Sequence, residues 1–261
     1  MRRTVVIPVV FCALMLPSCG GTSGDGAQSA CPSGEGTSLT VLAASSLGPA
    51  LEGIGEEFVA ASGCEVDLRV SLGSSTALAG QILGGAPADV FVAAGESAVR
   101  TVTEGLGTTG APRVVASNTA AVMTRDPAVT GVEDLAAVSG RGTAVGLCVA
   151  SAPCGALADD VIGTALPGIT RAGIVTTEVP SAADLRAKIV MGEIDAGIVF
   201  VSDCTGTSAP VRCVGIPAAL NSRVTYTAVP LVADGAAGRF VDFLASPAGA
   251  SVLTGHGFGA P

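Results

Sequence analysis

From residue 39 onward, short apolar runs that read as strands alternate with longer runs that read as helices, joined by brief Gly-rich connections. Residues 39–44, 66–72, 89–94 and 114–116 have the β-branched, apolar character of strands. Between them, 49–62, 76–83 and 96–104 carry apolar residues at helical spacing, as in Leu51, Ile54, Phe58 and Val59. A βαβαβ order predicts a mostly parallel sheet flanked by helices. The series then restarts, with strands at 119–123, 143–146, 174–179 and 195–201 and helices at 132–138, 154–165 and 182–191. The last of these helices opens on Ser181-Ala182-Ala183-Asp184, which resembles a capping box. Two α/β units of similar size predict two lobes with a cleft between them. Residues 224–231 read as a crossover strand, and 239–246 and 248–253 as terminal helices returning to the first lobe. The expected division is 38–117 with 225–261 for one lobe and 118–224 for the other.

Ligands of open α/β sheets lie outside the carboxyl ends of the strands. Two serine-bearing turns belong there, Ala43-Ala44-Ser45-Ser46-Leu47 and Gly73-Ser74-Ser75-Thr76, each between a strand and a helix. The first N–H groups of a helix have no intrahelical partner and its dipole is positive at that end. Hydroxyls and amides together therefore hold a small anion without a cationic side chain. One such serine is ordinarily a helix cap; two turns facing each other make an oxyanion receptor. The second unit supplies Ser151-Ala152-Pro153-Cys154-Gly155, Ala183-Asp184-Leu185-Arg186 and the strand end at 198–203. Serine chemistry of the hydrolytic kind needs a base, and the single histidine, His256, lies in a Gly-rich segment near the C-terminus. The chain has no G-x-S-x-G elbow, HExxH or P-loop, so a binding protein is expected and not an enzyme.

The N-terminus places Arg2-Arg3 before an apolar run over 5–16 and then Leu16-Pro17-Ser18-Cys19-Gly20. This resembles a bacterial lipoprotein signal spanning 1–18, with Cys19 as the lipidated first residue and 19–37 as a polar, flexible leash. The expected location is the cell envelope, on the outer face of the cytoplasmic membrane. Without residues 1–18 the chain keeps 11 basic against 22 acidic residues, a net charge of about −11. That argues against nucleic acid as partner, but not against an enclosed anion site, where nearby amides outweigh screened surface charge. Besides Cys12 and Cys19 there are six cysteines: Cys31, Cys64, Cys148, Cys154, Cys204 and Cys213. An even number in an exported chain favours disulfides over zinc, for which no CxxC pair is present. Of the fifteen connectivities, one pairs sequence neighbours as Cys31–Cys64, Cys148–Cys154 and Cys204–Cys213.

The ordered set Leu42-Ala43-Ala44-Ser45-Ser46-Leu47, Gly73-Ser74-Ser75, Gly85-Ala86-Pro87-Ala88-Asp89-Val90-Phe91, Pro153-Cys154-Gly155, Asp184-Leu185-Arg186 and Gly197-Ile198-Val199-Phe200-Val201-Ser202-Asp203 resembles the molybdate-binding proteins of ABC transporters. The similarity runs from about residue 38 to 258, and the Pro-Cys-Gly turn and cysteine pattern look most like the actinobacterial lipoprotein branch. The resemblance implies a two-lobed type II periplasmic binding-protein fold, with mixed sheets flanked by helices and the ligand cleft between lobes. It implies molybdate or tungstate held by the hydroxyls of Ser46 and Ser75 and by the backbone N–H groups of Cys154 and Leu185. No cofactor is implied, and the metal enters only as the bound oxyanion. The implied partners are an ABC permease and its ATPase, with the binding protein a monomer. Many family members place a Tyr hydroxyl where this chain has Phe200; its single tyrosine, Tyr226, lies in the crossover region. Another small anion (sulfate, phosphate or an organic acid) is the competing ligand class. A carboxylate among these would be expected to engage Arg186.

Overall fold

The computed structural model describes residues 37–63, 66–107, 110–233 and 235–261. The expected signal segment, Cys19, nearly all of the expected leash, Cys31 and Cys64 lie outside the described residues. In chain order the strands are β1 (Thr37–Ala44), β2 (Val66–Gly73), β3 (Val90–Ala94), β4 (Arg113–Thr124), β5 (Val145–Cys148), β6 (Thr177–Val179), β7 (Ala196–Phe200), β8 (Arg212–Gly215) and β9 (Arg223–Pro230). The helices are α1 (Gly48–Ser62), α2 (Ser75–Leu83), α3 (Glu96–Leu106), α4 (Asp134–Ser139), α5 (Pro153–Ala165), α6 (Ala182–Met191), α7 (Gly235–Leu244) and α8 (Pro247–Gly255).

The strands follow the order β2-β1-β3-β9-β4-β7-β5-β6, with β8 also on β4. Pairing is parallel among β2, β1 and β3 and among β7, β5 and β6, as right-handed βαβ connections require. It is antiparallel wherever β4 and β9 take part, so the sheet is mixed. Strand β4 joins the two halves. Its first part, Arg113 to Thr119, pairs with β9, and Ala120 to Thr124 pairs with β7. Strand β9 returns the chain to β3.

The core is divided along the same line. In the first half, Leu39, Val41 and Ala43 of β1 face one cluster with Ile54, Phe58 and Phe240, while Leu42 faces another with Leu78, Ile82 and Val102. A strand covered on both faces reads as a continuous apolar run, which is why β1 and β3 are legible in sequence. The second half packs Met123, Leu147 and Ile198 against Leu135, Val161, Leu185 and Ile189. Each such side chain contributes about 1.5–3 kcal/mol of burial.

Three sequence expectations change. Residues 114–116 and 119–123 belong to a single strand, because the intervening Ser117 and Asn118 are buried and hydrogen-bonded within the fold. The strand expected at 174–179 shrinks to Thr177–Val179 behind a 3-10 turn at Arg171–Gly173. Strand β8 has no counterpart in the sequence reading, being four residues long, half-buried and without an apolar alternation.

Candidate functional site

Four helical segments begin around one small cavity. They are the 3-10 turn Ser45–Leu47 that leads into α1, the start of α2, and in the second half the starts of α5 and α6. The cavity is lined by Ala44, Ser45, Ser46, Gly73, Ser74, Ser75, Ala94, Pro153, Cys154, Ala182 and Phe200, none of them charged. Its volume, about 10 Å³, lies far below the roughly 300–1,000 Å³ of ordinary organic-ligand pockets. Cys154 and Ala182 occupy the second and first positions of their helices, where an N–H has no intrahelical acceptor. The positive ends of several helix dipoles thus meet at a space that holds no cation of its own.

The start of α5 is pressed against the end of β5. A Cβ on Gly155 would stand 2.0 Å from the Val149 carbonyl oxygen, so only glycine fits after Cys154. The Cys148–Cys154 disulfide, with Cα atoms 5.7 Å apart, ties the same helix start to the last residue of β5. A second disulfide joins Cys204 to Cys213. These are two of the neighbour pairs; the third falls on Cys31 and Cys64, outside the described residues.

The serine oxygens at the cavity accept hydrogen bonds from the protein. The Ala94 N–H donates to Ser75 Oγ at 2.9 Å, and the Ala183 N–H donates to Ser45 Oγ at 3.3 Å. Ser46 Oγ lies 2.7 Å from the Tyr226 hydroxyl. An oxygen already accepting leaves its own proton free for an acceptor-only ligand. The two halves also touch directly beside the cavity, where the Thr76 hydroxyl donates to the Ser151 carbonyl at 2.7 Å.

Of the residues expected at the ligand, Ser46, Ser75, Cys154 and Phe200 line this cavity and Leu185 does not. Leu185 is the fourth residue of α6, its side chain is fully buried in the second core, and its N–H donates to the Ser181 carbonyl at 3.1 Å. The amides without intrahelical acceptors lie in the first turn of a helix, and the residue of α6 that lines the cavity is Ala182. Arg186 is also turned away, donating through Nε to the Asp203 carbonyl at 2.9 Å and through Nη2 to the Thr205 carbonyl at 3.4 Å. Ser45, Ser74, Ala94 and Ala182 are additions. Ser45 and Ser74 stand next to the expected serines in the same turns, which was the available signal.

A family model described as bacterial extracellular solute-binding protein matches residues 39–259. The chain belongs to that family. The molybdate-binding protein of Mycobacterium tuberculosis H37Rv is 30% identical to this solute-binding protein over 256 residues, covering 94% of this chain and 93% of the relative. Among solved structures, a substrate-binding domain named for a molybdenum ABC transporter of Clostridium difficile superposes with a TM-score of 0.64 at 25% identity. It covers 86% of this chain and 99% of that one. The periplasmic molybdate-binding protein of Azotobacter vinelandii gives a TM-score of 0.73 at 20% identity, with 85% of this chain and 99% of that one covered, which bears on the fold.

Behind the cavity, this solute-binding protein carries a buried polar cluster. Asn118, Ser202, Asp203 and Tyr226 are each less than a tenth exposed. Asn118 Nδ2 donates to Ser202 Oγ at 2.8 Å, and the Phe200 N–H donates to Asp203 Oδ2 at 3.0 Å. Burial pushes the Asp203 carboxyl up to about 7, against the pull of the Phe200 N–H and of the Arg186 charge. Burial also raises the Tyr226 phenol well above its usual range, so it stays protonated. His256 does not line the cavity, which leaves the serines without an imidazole base. Among the described residues no cluster of metal-ligating side chains is present, and no helix is long and apolar enough to cross a membrane.

Proposed function

We propose that this chain captures molybdate, and its heavier analogue tungstate, outside the cytoplasmic membrane and delivers it to an ABC permease driven by an ATPase. The observation that carries the reading is the cavity itself: uncharged, small, and lined by helix-start residues and by serines, of which Ser45 and Ser75 already accept backbone N–H bonds and keep their own protons for an acceptor-only guest. A tetrahedral dianion that is fully deprotonated at neutral pH needs donors and nothing else. Hydrogen phosphate carries a proton that would need an acceptor in the site, and leaving it unpaired disfavours that ligand. Sulfate satisfies the donors as well as molybdate does, so discrimination between them rests on cavity size. The resemblance to proteins named for molybdate supports the same choice.

In this reading Ser46, Ser75, the Cys154 amide and the Ala182 amide hold the anion, and Phe200 closes one wall without donating. An organic acid is disfavoured because Arg186, the guanidinium nearest in sequence to a ligand turn, is spent on backbone carbonyls. The lobes are the two halves of the sheet, 38–117 with 225–261 and 118–224, hinged where β4 and β9 pass between them. Engagement of one anion from both sides draws them together. Lipid on Cys19 and a leash over 19–37 would keep the monomer beside its permease.

Isothermal titration of the purified protein with molybdate, tungstate, sulfate and phosphate tests the reading. One-to-one binding of the first two with little response to the others is expected; binding of sulfate in preference to molybdate would transfer the site to sulfate.

A further inference from the structure

We infer that Tyr226 is a positioning residue: it fixes Ser46 as a hydrogen-bond donor toward the ligand, and so sets the selectivity of the site for fully deprotonated oxyanions. The inference rests on the oxyanion reading of the cavity and assigns a residue that does not line it.

Tyr226 stands on β9, paired with Ala94 of β3 on one side and Ala116 of β4 on the other. It is fully buried, with its ring edge-on to Phe258 at 5.1 Å and to Phe200 at 6.2 Å. A phenol proton shut away from water needs an acceptor inside the protein. Ser46 Oγ is 2.7 Å away, and the other polar side chain that acts on the phenol is Asn118.

Asn118 does not supply that acceptor. Its Oδ1 accepts the N–H of Thr119 at 3.0 Å, which fixes the sense of the amide, and its Nδ2 points into the cluster, where it donates to Ser202. An amide nitrogen donates only. The phenol proton therefore goes to Ser46 Oγ, and the Ser46 proton is left to point into the cavity. The bonds run in one sense, from Tyr226 to Ser46 to the anion. Reversal requires the Asn118 amide to flip, which would set its N–H groups against the Thr119 N–H.

The chain of bonds also explains how the site does without a tyrosine at the position of Phe200. The hydroxyl comes from a different strand and acts one step behind the serine. Since Tyr226 lies on β9, a crossing strand holds Ser46 in its donating state.

The test is a double-mutant cycle read by titration with molybdate and, by competition, inorganic phosphate. Tyr226→Phe keeps the ring contacts and removes the hydroxyl. Molybdate affinity should fall about tenfold, the loss of one well-ordered bond to a charged group. The preference for molybdate over phosphate should fall as well, because an unfixed Ser46 can accept from a protonated anion. In a Ser46→Ala background the same change should alter molybdate affinity less than about twofold, a coupling that a purely structural role would not produce. If Tyr226→Phe gives no folded protein, Asn118→Ala removes the amide that acts on the phenol and is read in the same cycle. Wild-type affinity in Tyr226→Phe, or an equal loss with and without Ser46, overturns the inference alone. A wild-type protein that binds none of the oxyanions overturns the functional reading beneath it.

Discussion

The hydroxyl of Thr76, in the first turn of α2, donates to the carbonyl of Ser151, just ahead of α5, at 2.7 Å beside the cavity. The bond links the two halves of the sheet through groups that do not line the cavity. Thr76→Val keeps the shape and removes the donor. A single bond of this kind is worth about 1 kcal/mol, or about fivefold in Kd. We expect that loss in the dissociation rate, with association nearly unchanged, in stopped-flow measurements; a change confined to association would show that the bond forms before closure.

The paired serines carry a larger share. Each hydroxyl bonded to a dianion contributes about 1.5–3 kcal/mol, so Ser46→Ala with Ser75→Ala should weaken molybdate binding about a hundredfold or more. The same substitutions strand the buried Ala94 N–H and the Tyr226 hydroxyl. The double variant should therefore also melt at a lower temperature than the wild type. Titration and a melt on one sample separate these effects; tight binding in the folded double variant would remove both serines from the site.

The strands and helices around the cavity were legible in the sequence because their apolar patterns are strong and their starts are marked by serine or proline, as at Ser75, Pro153 and Ser181. The serines themselves were legible for the same reason: a hydroxyl at a helix start is a local feature. What sequence did not show is tertiary. Leu185 was expected at the ligand, but helix geometry engages its amide with Ser181 and presents Ala182. The pairing of Ser46 with Tyr226 spans 180 positions and depends on how β9 lies against β3, which no local pattern encodes. Asn118 fell between two expected strands because its partner Ser202, 84 positions away, meets it only once the chain is folded.

Gly155 tests how exactly the second half must present its amide. A methyl group there would meet the Val149 oxygen at 2.0 Å, a distance that neither backbone can absorb in place. Gly155→Ala should push the start of α5 outward and carry the Cys154 amide with it. The expected outcome is a destabilisation of about 1–3 kcal/mol, the usual cost of overpacking, and a loss of affinity out of proportion to it. Denaturant unfolding and titration measure the two. Full affinity in a destabilised Gly155→Ala would mean that the Cys154 amide makes no contact with the anion.

Asp203 makes the stability of the protein depend on pH in a defined window. Its carboxyl ionises near 3.8 when unfolded and is pushed up to about 7 by burial in the fold. Between those values the folded state keeps a proton that the unfolded chain has released, so stability falls as pH rises. The contribution is whole below about pH 4, is lost as pH climbs through about 7, and changes little beyond. Asp134 does not overlap this window, because hydrogen bonds from Thr130 lower its carboxyl below 3.8 and confine its effect to more acid conditions. Asp203→Asn removes the titration while its amide oxygen still accepts the Phe200 N–H. Without ligand, the wild-type melting temperature should drop more between pH 5 and pH 8 than that of Asp203→Asn. Parallel curves for the two proteins would show that this carboxyl is already ionised at pH 5 and that the cluster behind the cavity holds its charge with less strain than its burial implies.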